Sequence, residues 1–212
     1  MRHLSGQEMK PFIISVVVIM LIASAASLPF VLNAGFGQAP QGAEKSRVEA
    51  SPNYRDGVFH NPLPTPGFTS DKNMLVAWWE FLTVKRENAR PAQPLPMVAT
   101  DLANIPLQED VTIWLGHSSW YLQLAGKRIL IDPVFSNYAA PFSFLNKAFA
   151  GDYPWQAKNM PEIDLLIISH DHYDHLDYAT IKALIPKVKR AVVPLGVGSH
   201  LRYWGMNEAR VT

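Results

Sequence analysis

The sequence predicts an α/β domain, built from layers of strands and helices and preceded by a long apolar segment. Three observations support this prediction. Of the 212 residues, 48% are hydrophobic and only 17% are charged, which suffices for a buried core. Residues 111–131 are rich in strand-forming side chains, and from residue 164 onward an aliphatic run, a helical pattern and a second apolar run follow one another. Strands followed by a strand–helix–strand unit are typical of a layered α/β domain.

The first element is formed by residues 12–32, which contain no charged side chain. As a helix they would extend roughly 30 Å, enough to cross a bilayer. Arg2 and Lys10 precede the segment and favour a cytoplasmic amino terminus. We favour an uncleaved signal anchor, a transmembrane helix, over a cleaved signal peptide with its cleavage site at residues 23–25, and both over a buried core helix. Both leading interpretations place the rest of the chain outside the cytoplasm, periplasmic or extracellular: membrane-anchored in the first, secreted in the second.

Composition divides the chain into four parts, namely the signal anchor or signal peptide (1–34), a small, polar linker (35–51), a proline-rich wrap with a helix (52–100) and the main domain (101–212). Prolines exclude regular helix and central strand from residues 52–67, so we expect an extended segment packed over the domain. Apolar residues at helical spacing predict a helix over residues 73–85. Its Trp78 and Trp79 are expected to pack against the protein, with a membrane interface as the alternative.

Within the main domain, apolar runs predict five strands, over residues 111–115, 120–124, 128–131, 164–169 and 191–194. A tight turn at residues 125–127 joins the second strand to the third. The uninterrupted aliphatic character of the fourth strand is typical of a strand that is covered on both faces. Asp177 is expected to cap a helix over residues 178–184, and Gly205 to end a short helix over residues 199–204.

Charge and cysteine content narrow the classes of site. The formal net charge is +1 and there is no long basic block, so no nucleic-acid partner is expected, which leaves open only a nuclease with a local basic groove. Cysteine is absent, which excludes disulfides and thiolate ligands. Any metal site must therefore be built from histidine and carboxylate side chains.

Potential metal ligands are concentrated in residues 170–175, HDHYDH, directly after the fourth strand. Residues two apart in an extended loop point the same way, so His170 and His172 can hold one cation. Asp174 and His175 emerge further along and can reach a second cation. Nitrogen and oxygen donors without sulfur suit zinc, with manganese or iron as alternatives. Two such metals bridging one hydroxide would supply a strong nucleophile near neutral pH.

The motif HDHYDH after DLLIIS resembles the H-x-H-x-D-H signature of the metallo-β-lactamase superfamily, and residues 111–135 resemble the early β-hairpins of its fold. RDGVFHNP, DPVFS, VPLGVGSHLRYWG and the helix with Trp78 and Trp79 are similar to the N-acylphosphatidylethanolamine phospholipase D-like branch. The resemblance implies an αββα sandwich, a dinuclear zinc centre and hydrolysis of a phosphodiester.

The resemblance also implies roles for individual residues. His170 and His172 would bind the first metal, and Asp174 and His175 the second. Asp174 would also be the catalytic residue that orients the bridging hydroxide. Asp132 matches an aspartate of the family that holds a ligand loop in place rather than binding metal. From its position in the LGHSS turn, and not from the resemblance, His117 is expected to line the pocket. Of the remaining histidines, His200 is expected not to be a ligand and His60 to lie in the packing or at the surface.

The resemblance begins near residue 52 and reaches residue 212, and the family's downstream ligands have no counterpart in this sequence. We therefore expect only the first αβ half of the sandwich, the amino-terminal half of a hydrolase that binds zinc weakly and turns over poorly by itself. Exposed strand edges would favour a homo-oligomer or association with a complementary carboxy-terminal half.

Three functional hypotheses follow. The leading one is a membrane-tethered, zinc-dependent hydrolase that acts on a lipid or another phosphodiester. A lactonase or a nuclease on the same fold is the first alternative, because a fold does not determine a substrate. A non-catalytic, membrane-bound fragment that needs a partner chain is the second.

Overall fold

The computed structural model of the chain describes residues 33–66, 72–85, 87–151 and 153–212, together with Val18 and Met20. The chain divides into two compact units, residues 1–36 and residues 37–212. Apart from Val18 and Met20, the predicted signal segment lies outside the described residues, so this prediction stays untested. A short 3₁₀ helix, Ala34–Phe36, belongs to the first unit. Within the described ranges, none of the helices combines the length and the hydropathy needed to span a bilayer.

Four elements of the second unit precede its main sheet. They are helix α1 (Gly42–Glu49), the two strands of a small antiparallel hairpin, β1 (Tyr54–Arg55) and β2 (Val58–Phe59), and helix α2 (Met74–Thr83). Helix α1 lies within the stretch that its small, polar residues predicted to be a linker. Alanine, glutamate and lysine are good helix formers, and Val48 is buried, so the segment folds into a helix.

The main sheet has five strands, which lie in chain order: β3 (Val111–Gly116), β4 (Ser119–Leu124), β5 (Lys127–Ile131), β6 (Ile163–Ile167) and β7 (Val188–Val192). The first three form an antiparallel meander, and β5, β6 and β7 run parallel. The predicted tight turn between β4 and β5 is present. Ala125 and Gly126 both have positive φ there, 49° and 72°, as a two-residue hairpin turn requires.

Two helices complete this part of the chain. Helix α3 (Tyr178–Leu184) connects β6 to β7 and begins at Asp177, whose carboxylate accepts a hydrogen bond from the amide of Ala179. Helix α4 (Gly198–Tyr203) follows β7. The core contains fully buried side chains from the sheet and from both helices, among them Tyr121, Leu130, Leu166, Ile181 and Leu201. The α/β class is as predicted; the sandwich of two such halves remains a prediction.

The region before the sheet departs from the prediction that its aromatic residues are packed. Trp78 is 58% exposed and Trp79 is 69% exposed, and no residue of α2 is buried. Residues 61–66 of the proline-rich stretch are exposed as well. The prediction of packing is therefore wrong for the described residues. Helical spacing establishes the helix, but α2 is apolar except at Glu80 and Thr83, and no surface in the described part of the chain covers its apolar side chains.

Candidate metal centre

The candidate site lies at the carboxyl end of β6, where the HDHYDH loop begins. Parallel neighbouring strands end at the same edge of a sheet, and backbone hydrogen bonds hold these ends together. Asp132, after β5, donates its amide to Ile167 at 3.0 Å, and Ile168 donates to Val192 at 3.1 Å. The turn between β3 and β4 brings His117 to the same edge, since Ser118 Oγ donates to the backbone carbonyl of Asp174 at 2.8 Å.

Asp132 supports the loop from beneath. Its side chain is nearly fully buried, and its two oxygens accept the amide of Ser169 at 2.7 Å and the hydroxyl of Ser169 at 2.6 Å. His175 Nδ1 lies 2.9 Å from Asp132 Oδ2 and donates to it. One carboxylate therefore fixes both the first part of the loop and its last histidine. The structure thus places Asp132 behind His175; the role of His175 as a metal ligand stays a prediction.

His170 and His172 form the first pair of candidate ligands. His170 Nε2 and His172 Nδ1 are 3.1 Å apart, and the ring centroids are separated by 4.6 Å. The hydroxyl of Ser169 lies 3.0 Å from the other ring nitrogen of His170. Two imidazole nitrogens side by side in this way can bind a single cation together.

Asp174 and His175 form the second pair, and His117 joins them. His117 Nε2 lies 2.9 Å from Asp174 Oδ2, and His175 Nε2 lies 3.9 Å from the same oxygen. One ligand atom from each of the three residues lies within 4.8 Å of the others. Burial alone would raise the pKa of Asp174. The hydrogen bond from His117, a backbone hydrogen bond and the charges of His175 and His117 outweigh burial and leave this pKa below its ordinary value. The two pairs adjoin, since the rings of His170 and His175 are 3.9 Å apart.

These donors fit a divalent cation. They are imidazole nitrogens and a carboxylate oxygen without sulfur, which suits zinc and also manganese or iron. Asp132 occupies Nδ1 of His175 and leaves Nε2 facing Asp174. A carboxylate behind a histidine in this way fixes its tautomer and ring orientation for metal binding.

The direct contact of His117 with Asp174 could not be predicted from sequence, which indicated only that His117 is near the pocket. Its backbone has a φ of +43°, so the Gly-His-Ser turn that directs the ring toward Asp174 is an unusual one. Among the other residues, Asp171 is exposed, and burial raises the pKa of Tyr173. His60 is exposed in the β1–β2 hairpin, and His200 lies on α4, outside the group of three just described.

A cavity of about 680 Å³ is lined by both polar and apolar residues, with Asn137 and Gln156 among the polar ones. Its lining includes Leu95, Met97, Phe135, Tyr153 and Trp155. Phe135 is three residues beyond Asp132, and its amide donates to the hydroxyl of Thr180 at 2.9 Å. The segment that follows Asp132 therefore forms part of the cavity wall.

Comparison with known proteins agrees with this chemistry. Residues 127–211 match a family model described as a beta-lactamase superfamily domain. An uncharacterised protein of Mycobacterium tuberculosis is 39% identical over 197 residues, which cover 89% of this chain and 52% of that protein. N-acyl-phosphatidylethanolamine-hydrolyzing phospholipase D 1 of Caenorhabditis elegans is 35% identical over 98 residues, 45% of this chain and 26% of that protein. A metal-dependent hydrolase of Caldivirga maquilingensis is 36% identical over 66 residues, 31% of this chain and 23% of that protein.

The chain thus spans about half the length of its mycobacterial relative and a smaller share of the other two. The matched region contains β5, β6, the HDHYDH loop and both helices that follow. Residues 127–211 are therefore similar to the metallo-β-lactamase superfamily, and the chain is also similar to a phospholipase D that hydrolyses N-acyl-phosphatidylethanolamine.

Proposed function

We propose that the protein is a zinc-dependent hydrolase that cleaves a phosphodiester bearing an apolar group. One observation carries this proposal: two adjoining pairs of candidate metal ligands converge at one strand end, beside a buried aspartate that fixes their loop. The names of two relatives support it, since one is named for hydrolysis of N-acyl-phosphatidylethanolamine and the other as a metal-dependent hydrolase.

Each residue has a distinct task in this proposal. His170 and His172 would hold one ion, and Asp174 and His175 a second. When bound, such ions supply Lewis-acid chemistry, because they acidify water and stabilise negative charge on a leaving oxygen. Asp132 contributes indirectly, by holding the ring of His175 in one orientation.

Asp174 is the proposed catalytic residue. His117 Nε2–H donates to Asp174 Oδ2 and so fixes the plane of the carboxylate. The other oxygen of Asp174 is then available to accept a hydrogen bond from the attacking water and to orient it toward phosphorus. His117 therefore acts through Asp174 and is a positioning residue.

The proposed substrate is a lipid phosphodiester presented at a membrane surface. The side chains of Leu95, Met97 and Phe135 in the wall of the cavity suit contact with an acyl chain. Exposed Trp78 and Trp79 on α2 suit a membrane interface, where tryptophan is enriched. With the apolar segment at residues 12–32 as its anchor, the domain would act on the outer side of the membrane.

The test compares metal content in two variants of the full chain. His170→Ala combined with His172→Ala removes one pair of ligands, and we expect zinc affinity to fall by at least about 100-fold, because an ion retains few ligands. His60→Ala removes an exposed histidine from the β1–β2 hairpin and should leave zinc content unchanged. Zinc bound per chain, measured by mass spectrometry, is the primary readout, because it reports directly on the ligands.

Hydrolysis of bis(p-nitrophenyl) phosphate and of a set of lactones provides the second readout. Zinc content that is equal in the double variant and in the wild type would refute the metal site and with it the hydrolase. Normal zinc loading with faster cleavage of lactones than of the phosphodiester would refute only the proposed substrate class.

A further inference from the structure

Residues 37–49, which include helix α1 and are here called the strap, are tied to helix α4. The carboxylate of Glu44 accepts hydrogen bonds from Ser199 Oγ, at 2.7 Å, and from Arg202 Nη2. Val48 is buried and lies against Gly196, just before α4. The strap is therefore an integrated part of the fold, although its composition predicted a linker.

His200 makes a second connection between the strap and α4. The amide of Gln38 lies 3.0 Å from His200 Nδ1. A backbone amide can only donate, so Nδ1 is the acceptor, and the proton of the neutral ring must reside on Nε2. The contact is close: a Cβ added to Gly37 would lie 1.9 Å from this ring nitrogen. Only glycine at position 37 lets the strap pass the ring.

The opposite edge of the same ring faces the metal loop. His200 Nε2 lies 3.8 Å from Asp171 Oδ2, and Asp171 stands between His170 and His172 in the chain. This distance is too long for a direct hydrogen bond, so the attraction is electrostatic or passes through a water molecule. Burial lowers the pKa of His200, against the opposing influence of the carboxylates of Asp171 and Glu44, which agrees with the neutral tautomer deduced from the contact with Gln38.

We propose that His200 is a positioning residue that couples the strap to the HDHYDH loop and thereby raises the affinity of the His170–His172 pair for metal. Holding Asp171 in place restricts the backbone between the two histidines, so less conformational entropy is lost when both rings bind one ion. The inference rests on the proposed function, because it requires metal at this pair.

Two substitutions separate the two edges of the ring. The amide group of asparagine reaches the position of Nδ1, so His200→Asn keeps an acceptor for Gln38 but loses the contact with Asp171. The amide group of glutamine reaches the position of Nε2, so His200→Gln keeps a polar group facing Asp171 and loses the acceptor for Gln38. A role limited to packing against Trp204, whose ring lies 5.8 Å away, would make both variants behave alike.

The experiment measures cobalt affinity of the full chain by competition with a chelator, together with the visible spectrum of bound cobalt and amide hydrogen exchange in the strap. We expect His200→Asn to bind cobalt roughly five- to tenfold more weakly, the size of coupling carried by such a network, with normal exchange at Gln38. We expect His200→Gln to show faster exchange at Gln38 and a smaller loss of cobalt affinity.

A double-variant cycle with Asp171→Asn gives the decisive comparison. If His200 acts through Asp171, adding His200→Asn to Asp171→Asn should cause no further loss of cobalt affinity. Full additivity of the two losses would overturn the inference, as would a His200→Asn variant that binds cobalt like the wild type. Equal losses in the Asn and Gln variants, with a lowered melting temperature, would also overturn it. Failure of the wild type to bind cobalt would instead remove the proposed function, and this inference with it.

Discussion

Strand β6 and helix α2 are both rich in aliphatic side chains, but those of β6 are largely buried and those of α2 are exposed. Ile163 and Leu166 of β6 are fully buried in the hydrophobic core, whereas Leu75 and Leu82 of α2 are 83% and 71% exposed. The type of both elements could be predicted, β6 from its uninterrupted aliphatic run and α2 from the helical spacing of its apolar residues. The contrast shows that local sequence indicates the conformation of the backbone, while burial depends on a partner surface contributed by distant parts of the chain.

The difference has an energetic consequence. Full burial of a leucine side chain stabilises a fold by about 1.5–3 kcal/mol relative to leaving it exposed. The described fold gains this contribution from β6 and not from α2. Stability should therefore be concentrated in residues 111–212, and substitutions in α2 should leave the free energy of unfolding nearly unchanged.

The largest expected change in the free energy of unfolding comes from replacing leucine by alanine in β6, with the same replacement in α2 as the control. Leu166→Ala removes a fully buried side chain and should lower the free energy of unfolding by about 2–5 kcal/mol, through lost burial and the cavity left behind. Leu82→Ala is the matched control, and its exposed side chain should change this free energy by less than about 0.5 kcal/mol. Urea denaturation followed by circular dichroism gives both values. A loss in Leu82→Ala as large as that in Leu166→Ala would show that α2 is covered.

A second, smaller effect tests whether the strap belongs with the packed region. Glu44→Gln removes the charge that Arg202 and Ser199 contact, in a partly buried place, and should lower the free energy of unfolding by about 1–3 kcal/mol. Glu49→Gln, in the same helix, breaks only an exposed pair with Lys45 and should cost less than about 0.5 kcal/mol. Both values come from the same denaturation experiment. Equal losses in the two variants would show that the strap, like α2, contributes little to the stability of the packed region.

Much of the sheet could be predicted because its signals are local. The turn at Ala125 and Gly126, the aliphatic run of β6 and the cap at Asp177 each depend on a few neighbouring residues. Helix α1 was missed because its small, polar sequence lacks an apolar stripe. Its stability depends on contacts such as that between Glu44 and Arg202, which are 158 residues apart in the chain.

The candidate site divides in the same way. His170, His172, Asp174 and His175 are adjacent in sequence, so their spacing alone indicated a metal site. The contact of His117 with Asp174 joins positions 57 residues apart and depends on the positive φ of the turn. No local pattern in the sequence indicates this contact, which requires the successive pairing of β3, β4, β5 and β6 in one sheet.

The smallest expected effect concerns the charged border of the packed region, at Asp164 in β6. The amide of Arg128, which donates to Asp164 Oδ2 at 3.0 Å, lowers the pKa of Asp164 most; burial opposes this, and Lys189, 3.0 Å from Oδ1, adds to the lowering. A carboxyl whose pKa is lower in the folded than in the unfolded state stabilises the fold above its unfolded pKa, about 4. That stabilisation is lost as the pH falls through the folded pKa.

Asp164→Asn should therefore destabilise the protein at pH 7 by on the order of 1 kcal/mol or less, the contribution of one amide hydrogen bond to a carboxylate. The difference from wild type should shrink as the pH falls below about 4, because the wild-type carboxyl then becomes protonated. Glu80→Gln on α2 is the control: it breaks an exposed pair with Lys72, and its effect at pH 7 should be smaller. Urea denaturation between pH 3 and pH 7 measures both profiles. A difference between Asp164→Asn and wild type that grew toward low pH would contradict the lowered pKa, since it would mean that the carboxyl binds protons more strongly in the folded than in the unfolded state.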